Sequence, residues 1–138
     1  MAANTTPIYV KNITAKGTTW TNSDAASTKK TISPSIGAEG CRVHAVVATL
    51  DDTTARDFSL YLNDGTTDFL VGTFTVTASA GTSGAVSSIS ALSIVASFPW
   101  AGTDGSILIP SGWVLKAMNL TQVASAKTAT IVAICGDY

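Results

Sequence analysis

The sequence predicts an all-β protein, a single antiparallel β-sandwich read as an eight-stranded jelly roll with one short helix around residues 88–97. Three observations carry that reading. Apolar residues recur with a period of two along most of the 138 residues. Thr, Ser, Val and Ile dominate a composition in which charged residues make up only 12%, against about 25% in ordinary soluble domains. Gly, Asp, Asn and Pro punctuate the apolar runs at turn spacing. A chain of this length buries enough surface to fold around one core without metal or disulfide.

Taken in order, residues 1–7 hold no core-forming side chain and are expected to be a flexible arm, followed by one domain over 8–138. Strand candidates are Ile8–Thr14, a polar stretch around Ser27–Ile32, Arg42–Leu50, Phe58–Leu62, Asp68–Thr77, Ile107–Pro110, Trp113–Leu120 and Lys127–Cys135. Phe58, Leu60 and Leu62 alternate with Ser59, Tyr61 and Asn63, and Asp64-Gly65 then offers the positive φ of a tight primed turn into the next arm, so this pair predicts a hairpin. In that arm Phe69 and Val71 fall on one parity and Phe74 and Val76 on the other. Gly72 stands at the switch, the signature of a β-bulge. The run Ser106–Leu115, with Pro110 and Gly112, predicts a second hairpin. The expected core contains Phe58, Leu60, Leu62, Val43, Val47, Leu115 and Ile131.

The third and last strands depart from simple alternation. Val43, Ala45 and Val47 oppose Val46, Ala48 and Leu50, while Ala129, Ile131 and Ala133 oppose Val132 and Ile134, so both faces are apolar. A lone sandwich leaves one face of each sheet wet, and a second apolar face therefore implies a cover, most simply another subunit. Between them, residues 78–88 have loop composition, and Ile89, Leu92, Val95 and Ala96 recur at helical spacing until Pro99.

Several function classes lose ground on the same residues. A net charge of −1 and the short basic run Lys29-Lys30 provide no field for nucleic acid. No run of about 18 apolar residues spans a membrane, and the N-terminus has neither the basic start nor the apolar run of a secretory signal, so synthesis in a cytosol is expected. The Asn-x-Thr triplets at Asn4, Asn12 and Asn119 then carry no glycan. His44 is the sole histidine and Glu39 the sole glutamate, and no nucleophile–base pair, zinc spacing or phosphate loop is present, so no catalytic residue, cofactor or metal is expected. The Asp51-Asp52 and Asn63–Asp68 stretches could offer oxygens to calcium, but lack the ligand spacing of a calcium loop and read as turn-formers. Trp20, Trp100 and Trp113 read as core or interface anchors, with sugar stacking as the other possibility. Cys41 and Cys135, each at the end of an apolar run, read as buried free thiols, with a bond between them left open.

Gly81–Gly84, the short apolar helix, the run Asp104–Leu115 and the closing Ala129–Tyr138 resemble small virion proteins of tailed bacteriophages, above all capsid decoration, or cement, proteins. The start Ile8–Ile13 and the Leu62–Gly65 hairpin fit the same likeness, which covers most of the chain in style and order. The resemblance implies a jelly-roll sandwich, a homotrimer, and a place on the outer capsid surface, bound to the major capsid protein and stabilising contacts between capsomers. Ile8, Tyr9 and Val10, which begin the first apolar run, are the candidate capsid contacts. Two other classes are weighed beside it: a phage tail or fibre module binding a receptor or carbohydrate, and a small β-sandwich enzyme, which would need a pocket converging on His44.

Overall fold

The computed structural model describes residues 10–94 and 106–137. The expected β-sandwich is present as two antiparallel sheets packed face to face. The first contains β1 (Asn12–Thr21), β9 (Thr128–Asp137) and β3 (Cys41–Leu50) side by side, with β6 (Ile89–Ser90) and β7 (Ile107–Ile109) both on the remaining edge of β3. The second runs β2 (Lys29–Thr31), β8 (Val114–Asn119), β4 (Arg56–Asn63), β5 (Asp68–Val76).

The core between the sheets is built from the alternation itself. Phe58 and Leu60 of β4, Leu115 of β8, Val43 of β3 and Ile131 of β9 are all fully buried, as the sequence predicts. Trp20 joins them edge-on to Phe58 at 5.3 Å, and Phe58 stacks on Phe74 at 6.0 Å. The indole N–H of Trp20 donates to the Thr28 carbonyl at 3.1 Å, which removes the cost of burying it. Leu62 packs against the edge of the core, half-buried.

Both strand breaks are bulges. Leu60 faces Gly72 and Tyr61 faces Leu70, so Val71 is the extra residue beside the predicted glycine, and Phe74 and Val76 turn inward beyond it. The second bulge was not expected. Val43 faces Cys135 and Ala45 faces Ile134, which leaves His44 extra in β3 and turns Val46, Ala48 and Leu50 inward. Val47 is therefore a correction: it stands half-buried on the outer face instead of in the core.

Four further readings change. Nine strands are described rather than eight, because two short strands share one edge of β3. The helix expected over 88–97 reduces to a single turn, α1 (Ala91–Ile94), since Ile89 and Ser90 instead pair with Ala48 and Val47; residues 95–97 lie outside the described residues. Pro110 and Gly112 do reverse the chain, Gly112 at φ 79°, but the strands they join enter different sheets. That segment is a corner between sheets and not a hairpin. The β4–β5 hairpin stands, closed by the loop Asp64–Thr67, in which only Gly65 takes positive φ and the Asp64 carboxylate accepts the amides of Thr66 and Thr67 at 2.8 and 2.7 Å. The first strand is Asn12–Thr21 rather than Ile8–Thr14; Ile8 and Tyr9 lie outside the described residues, as do Trp100 and all of the expected arm at 1–7.

Candidate attachment surface

The strand directions sort the molecule into two ends. At one end stand the starts of β1, β3, β5 and β8, the finish of β4, β7 and β9, and the corner Pro110–Trp113. The opposite end carries the loops 22–28, 51–55, 77–88 and 120–127.

The loop end is closed by polar side chains. Asp52 is 1% exposed, and its carboxylate receives Arg56 at 2.6 and 2.8 Å, the Thr54 amide at 3.0 Å and the Ala124 amide at 3.1 Å. Burial works to raise this carboxyl, but the two amides and the guanidinium outweigh it and hold it below its ordinary value of 3.8. Fully buried Asn119 accepts from the Thr28 amide and donates to the carbonyls of Ala25 and Thr121, joining two loops. Asn22 donates to the Val123 carbonyl at 2.8 Å, and Gln122 donates back to the Asn22 carbonyl. The acidic residues weighed for calcium are thus used internally: Asp52 on Arg56 and backbone amides, Asp51 on the Thr128 amide, Asp64 in its own turn. Asp68 lies between Lys29 at 2.9 Å and Lys116 at 3.2 Å and also accepts from Asn63, which lowers its carboxyl to about 2. Among the described residues, no group of three or more His, Cys, Asp or Glu is gathered to hold a metal ion.

The other end, apart from the Asp64–Thr67 turn that Asp64 closes on itself, is apolar. Ile13, Leu70, Leu108 and Phe69 are 78%, 61%, 59% and 46% exposed, an unusual concentration of large hydrophobic side chains at one end of a small domain. Phe69 stacks on half-buried Trp113 at 5.8 Å. Trp113 in turn lines a cavity of about 300 Å³ with Leu62, Ile107, Leu108 and Pro110. A second cavity of about 250 Å³ shares Leu108 and Pro110 with the first and is bordered also by Glu39, Cys41 and Ile109. Two buried oxygens near this end, Thr14 Oγ1 and Asp137 Oδ1, have no hydrogen-bond partner among the described residues.

Of the three predicted contact residues, Val10 is described and lies at this end. Lys11 extends the ladder by donating its amide to the Asp137 carbonyl at 2.8 Å, which directs the preceding residue over the outer face of the first sheet. Val10 is seated there in the space left by Gly136: a Cβ on that glycine would come within 2.7 Å of Val10 Cγ1 and 3.2 Å of His44 Nε2. Exposed His44 thus stands at its bulge beside Val10, away from both apolar cavities. Leu70, Leu108 and Phe69 escaped the sequence reading as contact candidates, because period two assigns a face and carries no mark of where a sheet ends; Trp113, read from the sequence as a core or interface anchor, stands beside them.

Below Val10 the outer face of the first sheet forms three uncharged cross-strand rows: Ala15, Ile134 and Ala45; Gly17, Val132 and Val47; Thr19, Thr130 and Thr49. The outer face of the second sheet instead carries the Lys29–Asp68–Lys116 ion pairs, with Lys29 over the Tyr61 ring at 4.4 Å. No protein-family model matches this chain, and no curated protein is significantly similar to it.

Proposed function

We propose that this chain is a structural virion protein, a capsid decoration or cement protein that binds the outside of a bacteriophage capsid and stabilises contacts between capsomers. The observation that carries the reading is the apolar end, where Ile13, Leu70, Leu108 and Phe69 stay exposed and Leu108 lines a cavity, although the loop end of the same domain is closed by hydrogen bonds. An end left apolar is suited to lie on another protein. The strand order supports the finer fold: β1-β9-β3-β6/β7 over β2-β8-β4-β5 is the order of an eight-position jelly roll, with one position divided between two short strands.

In this reading the apolar end and the Ile8-Tyr9-Val10 segment contact the major capsid protein. The uncharged rows of the first sheet meet other copies in a homotrimer. Repetition does the rest, since each trimer engages several weak patches at once and avidity makes the attachment lasting. No catalytic step, cofactor, nucleic acid or membrane is involved; the chain is made in the host cytoplasm and resides on the outer capsid surface. A tail or fibre module is the second reading, favoured by the Phe69–Trp113 pair, whose rings could stack on a sugar. The cavity beside that pair is lined by Leu62, Ile107, Leu108, Pro110 and Trp113, which suits an apolar protein contact better than a sugar, whose hydroxyls need convergent polar groups.

Quantifying the chain against the major capsid protein in purified virions tests the proposal. Hundreds of copies per particle are expected for a cement protein. A handful would move the assignment to the tail, and none would remove the virion role.

A further inference from the structure

We propose that Cys41 and Cys135 are a reversible modification site, closing to an intramolecular disulfide between β3 and β9 when a peroxide reaches Cys41. Three observations bring the sulfurs together. The two residues lie on adjacent antiparallel strands two register positions apart, Cys41 facing Asp137 and Cys135 facing Val43, with both side chains turned into the same core. Both thiols are free and buried. The His44 bulge begins immediately after Val43, and bulges increase the local twist that draws one diagonal pair of side chains together.

The pair is also unequal. The neighbouring Cys41 thiol, together with burial, pushes the Cys135 thiol up, while Cys135 holds Cys41 below its ordinary value against burial and the nearby Asp137. Cys41 borders the 250 Å³ cavity beside Glu39, Leu108 and Pro110, a space large enough for a peroxide, and is therefore the sulfur that a peroxide meets first. The Cys41 thiolate attacks one peroxide oxygen, breaking the O–O bond; hydroxide leaves, and Cys41 becomes a sulfenic acid. Cys135 then attacks the Cys41 sulfur, the S–O bond breaks, and the proton lost by Cys135 leaves with the hydroxyl as water. Two thiols and one hydrogen peroxide yield one disulfide and two waters. A reducing cytosol would keep the thiols open, and oxidising surroundings would close them. The site depends on the sandwich alone, independently of where the protein attaches.

Hydrogen peroxide added to the purified full chain tests this. The expected result is a monomer lighter by two hydrogen atoms, with titratable thiols in denaturant falling from two to none and returning after dithiothreitol. In the Cys135→Ser variant, the sulfenic acid should persist on Cys41 and be trapped by a 1,3-diketone probe. Two thiols that survive peroxide treatment, or oxidation found only as disulfide between chains or as stable sulfinic acid, would overturn the proposal.

Discussion

The two ends of the sandwich solve the same problem in opposite ways. Strands stop at both, and each stop leaves backbone and side chains to be covered. At the loop end the covering is internal: Asp52 ties loop 51–55 to Ala124, Asn119 ties loop 22–28 to β8, and Asn22 donates to the Val123 carbonyl while Gln122 donates to that of Asn22. At the apolar end Leu70, Leu108, Phe69 and Ile13 remain exposed, and buried oxygens on Thr14 and Asp137 lack partners among the described residues. Folding is served by the first arrangement. The second leaves surface that only a further contact would bury, and this difference ties attachment to one end of the molecule. Stability and attachment should then be separable by mutation.

The largest effect on stability is expected at the loop end. Replacing Asp52 by Ala leaves Arg56 and two amides without their acceptor in a site that is 1% exposed, and should cost about 3–5 kcal/mol, or roughly 10–20 °C in thermal melting. The Asp52 carboxyl is held below 3.8 in the folded protein, so its contribution is complete above pH about 4 and disappears as the pH falls through the lower folded value. Asp52→Asn should accordingly flatten part of the acid-side loss of stability. Equal acid sensitivity in wild type and variant would show that the clasp is not what closes this end.

The converse substitution belongs at the apolar end. Leu70→Ser and Leu108→Ser together remove exposed side chains that the folded domain hardly uses, so melting should change by less than about 1 kcal/mol. Retention on capsids should fall at least about tenfold, the equivalent of ~1.4 kcal/mol. A double variant that melts early but binds normally would reverse the assignment of roles to the two ends.

Much of this contrast is invisible to a pattern of alternating residues. The β4–β5 hairpin was legible because Phe58, Leu60 and Leu62 alternate without exception and Asp64-Gly65 marks the turn; even the bulge beside Gly72 could be read from the change of parity. The bulge at His44 produced the same change of parity in β3, but without a glycine it looked like two apolar faces. Most of β1 was missed because Ala15–Thr19 holds only Ala, Lys, Gly and Thr, leaving Trp20 as a lone large apolar residue without an alternating partner, and an edge strand paired only to β9 can remain so. Ile89 and Leu92 have helical spacing, but β3 had an open edge, and pairing took Ile89 and Ser90 before the single turn that follows. Val10 was found as an apolar residue at the start of a run. What seats it, a glycine 126 residues later, is a property of register alone.

That seat allows the most delicate separation of the two functions. Gly136 has no positive φ to protect, so Ala is conformationally acceptable there, and its Cβ would collide at 2.7 Å with Cγ1 of Val10, a side chain that can move aside. The glycine at 40 is a useful contrast: it sits at φ +85°, and a Cβ would meet the carbonyl oxygen of Ile109 at 2.6 Å, backbone that cannot yield without disturbing β7. Gly40→Ala should therefore lower stability clearly. Gly136→Ala should leave melting within about 1 kcal/mol of wild type, because the side chain it displaces is partly exposed and lies outside the core. If residues 8–10 act from this seat, Gly136→Ala should nevertheless loosen retention on capsids by a few-fold, and deletion of residues 2–6, which leaves the seat intact, should weaken it separately. Normal retention by Gly136→Ala, with Val10 shown to be displaced by its NMR methyl shifts, would restrict attachment to Leu70, Leu108 and the aromatic pair.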